Sequence, residues 1–211
     1  MSVTHRRCVL MTIVCACGVA QPSRADTLVW SIAPDHSNVR ILVGKSGVFS
    51  GVGHAHEVVA PAVSGTVTLD PKNLQQAEVT LTFDASALKV TGEGEPAKDV
   101  PEVQRVMLSD KVLDVANYPT IVFRSQHIDV ERETGERAHL RVTGDITLHG
   151  VTRRIEAPVD VMLGSDCLTG TGTLTIRQTA FGITPVSAGL GTVKVRDEVS
   201  VSFVFTAVRS H

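Results

Sequence analysis

Cysteine is nearly missing from most of this chain. Three of the four cysteines, Cys8, Cys15 and Cys17, lie within the first 25 residues, so that only Cys167 remains in the rest of the sequence. A single thiol forms neither an intramolecular disulfide nor a cysteine-based zinc site. The fold must therefore be stabilised by its apolar core, and we expect Cys167 itself to be a small, buried core residue.

Long apolar runs and an excess of positive charge are also missing. After residue 25, no stretch approaches the roughly 18 consecutive apolar residues of a membrane-spanning helix. Three of the 20 basic side chains (Arg6, Arg7 and Arg24) precede residue 26, which leaves 17 against 22 acidic ones and a net charge of −5. This balance argues against nucleic acid or an anionic membrane as the main partner.

The first 25 residues have the composition of a secretory signal. A cationic start at 5–7 precedes an almost wholly apolar or small run over 8–20, and Ser23-Arg24-Ala25 offers small residues at the positions that a signal peptidase reads. We expect cleavage after Ala25 and a periplasmic or secreted domain over residues 26–211. A lipoprotein anchor at Cys17 and a buried N-terminal helix are the alternatives.

Alternation of apolar and polar residues dominates the chain after residue 25. Segments 140–148, 155–163 and 199–207 place apolar side chains at every second position for most of their length, as β-strands with one dry face do. Turn-forming residues at 70–73, 133–136, 149–150 and 164–166 separate the runs. Such short connections predict antiparallel neighbours, and the spacing predicts eight or more strands.

Two stretches depart from this alternation. From Ala97 to Leu113, apolar residues recur at helical spacing beside charged ones, which predicts one amphipathic helix that closes an end of the sheet. Residues 179–193 are rich in glycine and small apolar residues, and we interpret them as a long loop at a rim.

One helix cannot cover the apolar face of eight strands, so the sheet must close on itself or pack against a second sheet. Aromatic residues make up only 4% of the chain, and this scarcity of bulky side chains favours a hollow interior. We therefore predict an all-β fold, an antiparallel up-and-down (lipocalin-like) β-barrel of about eight strands with one short amphipathic helix. A two-sheet sandwich is the alternative.

Several short motifs occur along the chain in a characteristic order. They are Trp30-Ser31-Ile32 with Asp35-His36-Ser37, Val112-Leu113-Asp114 with residues 118–125, the stretch 144–153, Phe181-Gly182-Ile183, and Asp197-Glu198-Val199. Taken together they resemble the YceI-like family of exported, lipocalin-like proteins, of which this chain looks like a divergent member. The resemblance implies a polyisoprenoid-type lipid or a quinone as ligand, carried or sequestered inside the barrel, and no other cofactor.

An apolar ligand in the barrel would be held by large apolar side chains on the inward faces. The residues expected to line the ligand site are Leu81, Phe83, Phe123, Leu140, Val142, Leu148, Phe203 and Phe205, with Phe181 at the entrance. Ordinary core packing is the alternative for each of them. If these side chains fill the barrel completely, the protein is instead a stress-related interaction protein without a ligand.

His54 and His56 are the candidate metal ligands of the sequence. At positions i and i+2 of a strand the two imidazoles face the same way, as ligands of zinc, copper or haem iron do. A protein metal site usually needs a third ligand. His36 and His149 are the histidines available to supply it. A periplasmic metal- or haem-associated accessory protein is therefore a second functional hypothesis, and hydrogen-bonded rim histidines are its structural alternative.

Motifs of catalysis are missing from the sequence. There is no Gly-x-Ser-x-Gly elbow and no His-Glu-x-x-His pair, and Gly189-x-Gly191 lacks the third glycine of a dinucleotide site. We expect a binding protein with no catalytic residues and not an enzyme.

Overall fold

The protein is described by a computed structural model over residues 27–46, 55–93, 96–188 and 193–210. The strands within these ranges are β1 (Leu28–Ile32), β2 (Asn38–Ser46), β3 (His56–Val59), β4 (Val63–Asp70), β5 (Asn73–Asp84), β6 (Lys89–Val90), β7 (Thr120–Thr134), β8 (Arg137–Leu148), β9 (Val151–Leu163), β10 (Cys167–Arg177), β11 (Ser187–Ala188) and β12 (Val193–Arg209). One α-helix, α1 (Val100–Leu108), lies between β6 and β7. The all-β prediction is confirmed.

Eight of the strands close into a barrel. Their spatial order is β1-β4-β5-β7-β8-β9-β10-β12, each pair is antiparallel, and β1 pairs back onto β12 with Ile32 opposite Ala207. Closure satisfies the backbone groups that a free sheet edge would leave unpaired. The predicted up-and-down barrel is thus confirmed, and the sandwich alternative is wrong.

The last strand, β12, contributes to two walls. Its C-terminal end pairs with β1, whereas residues 194–204 pair with β2, and from β2 the sheet continues to β3 and β6. A 3-10 helix at Pro34–His36 separates β1 from β2. The wall on this side therefore divides into a lower part (β1 and β4) and an upper part (β2, β3 and β6).

The turns lie where the sequence predicts them. β8 and β9 are joined by the two residues His149 and Gly150, whose φ angles are 51° and 71°. Positive φ at both positions is the geometry of a type I′ turn, whose twist matches that of the flanking strands. The connections at 70–73, 133–136 and 164–166 likewise join consecutive antiparallel strands.

Two clusters of buried apolar residues fill the molecule. The lower cluster includes Trp30, Leu69, Leu74, Ile128, Leu140 and Leu168. The upper cluster contains Val39, Val58, Leu88, Leu113, Leu148, Phe181 and Ile183, with the apolar side of α1 packed against it. Phe83 and Phe205 pack against both clusters and mark the boundary between them.

The helix is shorter than the sequence analysis predicts. It spans Val100–Leu108 and not Ala97 to Leu113, because Ser109 leaves the helix with an extended backbone (φ −74°, ψ 174°). The Ser109 hydroxyl donates a hydrogen bond to the Val106 carbonyl at 2.8 Å, which satisfies one acceptor at the helix end. Within the described ranges, no helix is long and apolar enough to cross a bilayer.

Two further expectations need correction. Cys167 is exposed and not buried, because the inward position at the start of β10 belongs to Leu168 and its neighbour must face outward. The predicted loop over 179–193 contains regular structure, namely a 3-10 helix at Gln178–Phe181 and the short strand β11. Residues 189–192, which include the Gly189-x-Gly191 pattern, lie outside the described residues.

Candidate ligand-binding lumen

The barrel contains an apolar cavity of about 190 Å³. Its wall draws on all eight barrel strands and β2, and each of its 26 lining residues is aliphatic, aromatic or glycine. No polar or charged residue is fully buried in the part of the chain that the structure describes. The cavity can therefore hold an apolar group by burial and dispersion, but its wall offers no side chain that would hydrogen-bond to a ligand.

Seven of the nine predicted lining residues lie on the wall of this cavity. They are Leu81, Phe83, Phe123, Leu140, Val142, Phe203 and Phe205. They come from β5, β7, β8 and β12, whose inward positions follow the period-two alternation visible in the sequence.

Leu148 and Phe181, the other two, are not among the residues that line this cavity. They belong to the upper apolar cluster, where the Phe181 side chain is only 1% exposed. The 3-10 helix at Gln178–Phe181 turns this ring inward, and the His149 ring nitrogen Nδ1 lies 3.2 Å from the Phe181 carbonyl oxygen. Phe181 therefore packs within the upper apolar cluster and is shielded from solvent.

The Asp197 carboxylate holds the 3-10 helix at Gln178–Phe181 by hydrogen bonds. Asp197 of β12 accepts hydrogen bonds from the Thr179 backbone amide and the Thr179 hydroxyl, both at 2.8 Å. The Thr179 amide is the largest of the causes that lower the pKa of Asp197 below that of an ordinary aspartate. The hydrogen bonds join the 3-10 helix to β12 beside the upper cluster.

Most of the wall consists of small and β-branched residues that the sequence analysis did not select. They include Ala77, Val79, Ile128, Ile155, Ala157, Val159, Val161 and Gly170. Their signal was present, because residues 155–163 alternate as clearly as 140–148. Small side chains on inward positions leave room for a cavity, whereas large ones fill it.

The aromatic side chains are arranged in contact with one another. The rings of Phe203 and Phe205 stack with centroids 5.1 Å apart, and the ring of Phe83 lies 6.2 Å from that of Phe205. Phe83 is on β5 and Phe205 is on β12, which are not neighbouring strands in the barrel. Their contact therefore crosses the lumen.

One hydroxyl at an inward position forms a hydrogen bond with the backbone of the neighbouring strand. Ser125 follows Phe123 by two residues on β7, so its side chain points to the same face. Its Oγ accepts a hydrogen bond from the Val79 amide at 2.8 Å, just beyond the last paired residue, Thr80, in the ladder between β5 and β7. The hydroxyl thus completes the ladder, and Ser125 does not line the cavity.

The histidine pair is only half described. His54 lies outside the described residues, while His56 begins β3 and lines a second cavity of about 330 Å³ that also contacts Asp99 and Glu102 of the α1 region. His36 is exposed at the 3-10 helix beside β2, and the His149 ring lies within hydrogen-bond distance of the Phe181 carbonyl oxygen. Among the described residues, no three His, Cys, Asp or Glu side chains come together to hold a metal ion.

Comparisons with known proteins agree with this architecture. The family model described as YceI-like domain matches residues 30–207. A crystal structure of BcnA from Burkholderia cenocepacia superposes with a TM-score of 0.65 at 21% identity, covering 84% of this chain and 99% of that one. No curated protein matched the sequence.

Two further solved structures share the fold. One is a polyisoprenoid-binding domain from Saccharophagus degradans implicated in plant cell wall breakdown, with a TM-score of 0.63 at 17% identity, covering 87% of this chain and 99% of that one. The other is a YceI protein from Campylobacter jejuni, with a TM-score of 0.52 at 14% identity, covering 73% of this chain and 84% of that one. At these identities the likeness shows the fold alone.

Proposed function

The chain belongs to the YceI-like family, and we propose that it is an exported carrier that sequesters a polyisoprenoid-type lipid or a quinone in its lumen. One observation carries the proposal, namely a closed barrel whose cavity wall is wholly apolar. Binding is then a reversible burial of hydrocarbon without covalent chemistry. The likeness to the polyisoprenoid-binding domain from Saccharophagus degradans supports this ligand class.

The driving force is adequate for a short apolar chain. Burial is worth about 0.8 kcal/mol per CH₂ group, so that a few isoprene units give micromolar affinity after ordering costs are subtracted. An empty apolar cavity of about 150 Å³ in another protein stays dry and binds benzene. The cavity of about 190 Å³ seen here admits one end of such a chain, and a longer ligand requires side chains to rotate or its remainder to stay outside.

The absence of polar groups from the cavity wall also decides how the ligand is oriented. A quinone ring or a phosphate head group buried without hydrogen bonds would lose several kcal/mol. We infer that the tail enters the lumen and the head group stays outside it. We also infer export from the pattern of residues 1–25, which lie outside the described residues.

The proposal is tested by identifying what the protein carries. Protein purified from its native host without detergent is extracted with organic solvent, and the extract is analysed by mass spectrometry. We expect an isoprenoid lipid or quinone in near-stoichiometric amount. Protein that yields no apolar molecule and binds no added farnesol would contradict the carrier function. Near-stoichiometric zinc or copper that is lost in His56→Ala would instead favour the metal hypothesis.

Matched variants of one strand locate the ligand. Leu140 lines the cavity and is 6% exposed, whereas Thr143, on the same strand, points to the outer face. We expect Leu140→Glu to abolish lipid retention and Thr143→Glu to preserve it. Because a buried glutamate also threatens folding, Val142→Thr provides a milder change that adds one hydroxyl to the lumen at nearly constant size. Folded Val142→Thr that retains lipid as well as Thr143→Glu does would contradict the lumen site.

A further inference from the structure

Two aromatic rings of the lumen lie directly over glycines. A Cβ atom added to Gly172 of β10 would stand 2.5 Å from Cζ of Phe203, and one added to Gly144 of β8 would stand 2.5 Å from Cζ of Phe123. Neither glycine has a positive φ angle, so the backbone conformation is open to any residue. What these positions lack is space for a Cβ atom, because the phenyl ring and a backbone carbonyl oxygen, that of Arg124 at Gly144 and that of Pro158 at Gly172, both lie 2.5 Å from it.

Gly170 shows that this arrangement is not general. It also faces the lumen from β10 and lies opposite Phe205 in the ladder with β12. A Cβ atom there would meet only Cγ1 of Val159, at an ordinary contact distance of 3.5 Å. The Phe205 ring does not use the space over Gly170 and stacks on Phe203 instead.

Each ring leans from its own strand over a glycine of the neighbouring strand. A side chain at residue 172 would push the Phe203 ring away from β10. Phe203 stacks on Phe205, and Phe205 contacts Phe83 across the lumen. A displaced Phe203 ring would therefore narrow the interior beside the Phe83–Phe205 contact, which already crosses it.

We propose that Gly144 and Gly172 are specificity-determining positions of the lumen. Each provides a niche that keeps one phenyl ring, Phe123 or Phe203, against the wall and so sets the width that a ligand can use. The space beside the Phe83–Phe205 contact then admits a slender acyclic chain and excludes a rigid fused-ring lipid. This inference rests on the proposed carrier function and adds the shape of the ligand that the lumen accepts.

The test compares two alanine variants of the same strand. Gly172→Ala places a methyl group against the Phe203 ring, whereas Thr173→Ala changes the next residue of the same strand, whose side chain is exposed on the outer face. By calorimetric titration with farnesol, we expect Gly172→Ala to bind about tenfold more weakly than wild type and Thr173→Ala to stay within about twofold. Equal affinities of the two variants would overturn the inference.

A second variant separates the ring from the backbone. A Cβ atom at residue 172 would also lie 2.5 Å from the Pro158 carbonyl oxygen, so that Gly172→Ala strains β9 as well. We expect Gly172→Ala combined with Phe203→Leu to recover affinity to within about threefold of Phe203→Leu alone, because no ring is left to displace. A double variant as weak as Gly172→Ala would show that the methyl group acts without the ring and would overturn the inference.

Two readouts separate this inference from the carrier function. In a ligand-free crystal structure of Gly172→Ala, we expect the Phe203 ring to have moved into the lumen, and a ring still seated over residue 172 would refute the niche whatever binds. In wild-type protein, we expect farnesol to bind at least about tenfold more tightly than progesterone. Comparable affinities would refute the selection of acyclic chains, whereas a wild type that binds neither would count against the carrier function itself.

Discussion

The side-chain oxygen Oε1 of Gln104 accepts a hydrogen bond from the backbone amide of Val90 at 2.8 Å. The side-chain nitrogen of the same Gln104 donates to the Leu88 carbonyl, also at 2.8 Å. The side-chain amide of Gln104 thus accepts from and donates to the backbone at β6, as the peptide group of a neighbouring strand would. Since Gln104 lies on α1, this pairing joins the helix to the upper barrel wall.

Replacing this amide by a carboxylate should loosen the helix. In Gln104→Glu the charged side chain cannot donate to the Leu88 carbonyl, and we expect the free energy of unfolding to fall by about 1–3 kcal/mol in urea titrations at neutral pH. Arg105→Ala is the control, because Arg105 and its partner Glu102 are both largely exposed. It should change stability by less than about 0.5 kcal/mol. Equal losses in both variants would contradict the role of Gln104.

Trp30 is the only tryptophan of the chain, and it is 2% exposed in the lower cluster. Its indole Nε1 is buried without a hydrogen-bond partner in the described structure. Trp30→Phe removes this unsatisfied donor together with part of the ring, and we expect a loss of less than about 1.5 kcal/mol because the two effects oppose each other. Trp30→Ala leaves a cavity and should cost about 3–5 kcal/mol.

Both losses are measured by urea unfolding followed by far-ultraviolet circular dichroism, since the tryptophan signal disappears in the variants. In wild-type protein, the emission of Trp30 should be blue-shifted and poorly quenched by acrylamide until the barrel unfolds. A Trp30→Phe loss as large as that of Trp30→Ala would mean that the buried nitrogen carries no penalty.

Cys167 should react in the native state. It is exposed at the first residue of β10, and the thiol is the only one after residue 25. We expect near-complete labelling by a maleimide without denaturant, and a Cys167→Ser variant that changes stability by less than about 0.5 kcal/mol. Labelling that requires urea would restore the sequence-based expectation of a buried thiol.

Acid should release the 3-10 helix at Gln178–Phe181 from β12. The hydrogen bonds from Thr179 lower the pKa of Asp197 in the folded protein, so their stabilisation is fully present above the pKa of the unfolded state. It is lost as the pH falls through the lowered folded pKa. Hydrogen exchange of the Thr179 amide checks this, and its protection factor should decrease in acid.

Asp197→Asn is the control for this acid effect. Its side chain does not titrate but keeps an oxygen that can accept from the Thr179 amide, so the protection factor of Thr179 should be nearly independent of pH. A wild-type protection factor that stays constant down through the range where Asp197 gains its proton would contradict the assignment.

Local patterns predicted much of the candidate site for a simple reason. In a strand the side-chain direction depends only on the parity of the position, so Leu140 and Val142 could be placed on the inward face without coordinates. Phe181 could not, because it follows the end of β10 in a 3-10 helix, where that parity is lost. Its position depended on the packing of the upper cluster, to which Leu148 and the apolar side of α1 also belong.

The amino-acid order alone determined the strand periodicity, the positions of the short turns and the amphipathic character of α1, because each arises from residues close together in the chain. Closure of the barrel was decided only in three dimensions, where Ile32 meets Ala207 from the far end of the chain. The same holds for the ring of Phe203 over Gly172 and the contact of Phe83 with Phe205. Whether a cavity remains depends on how side chains from all the strands share one interior, and no local pattern contains that information.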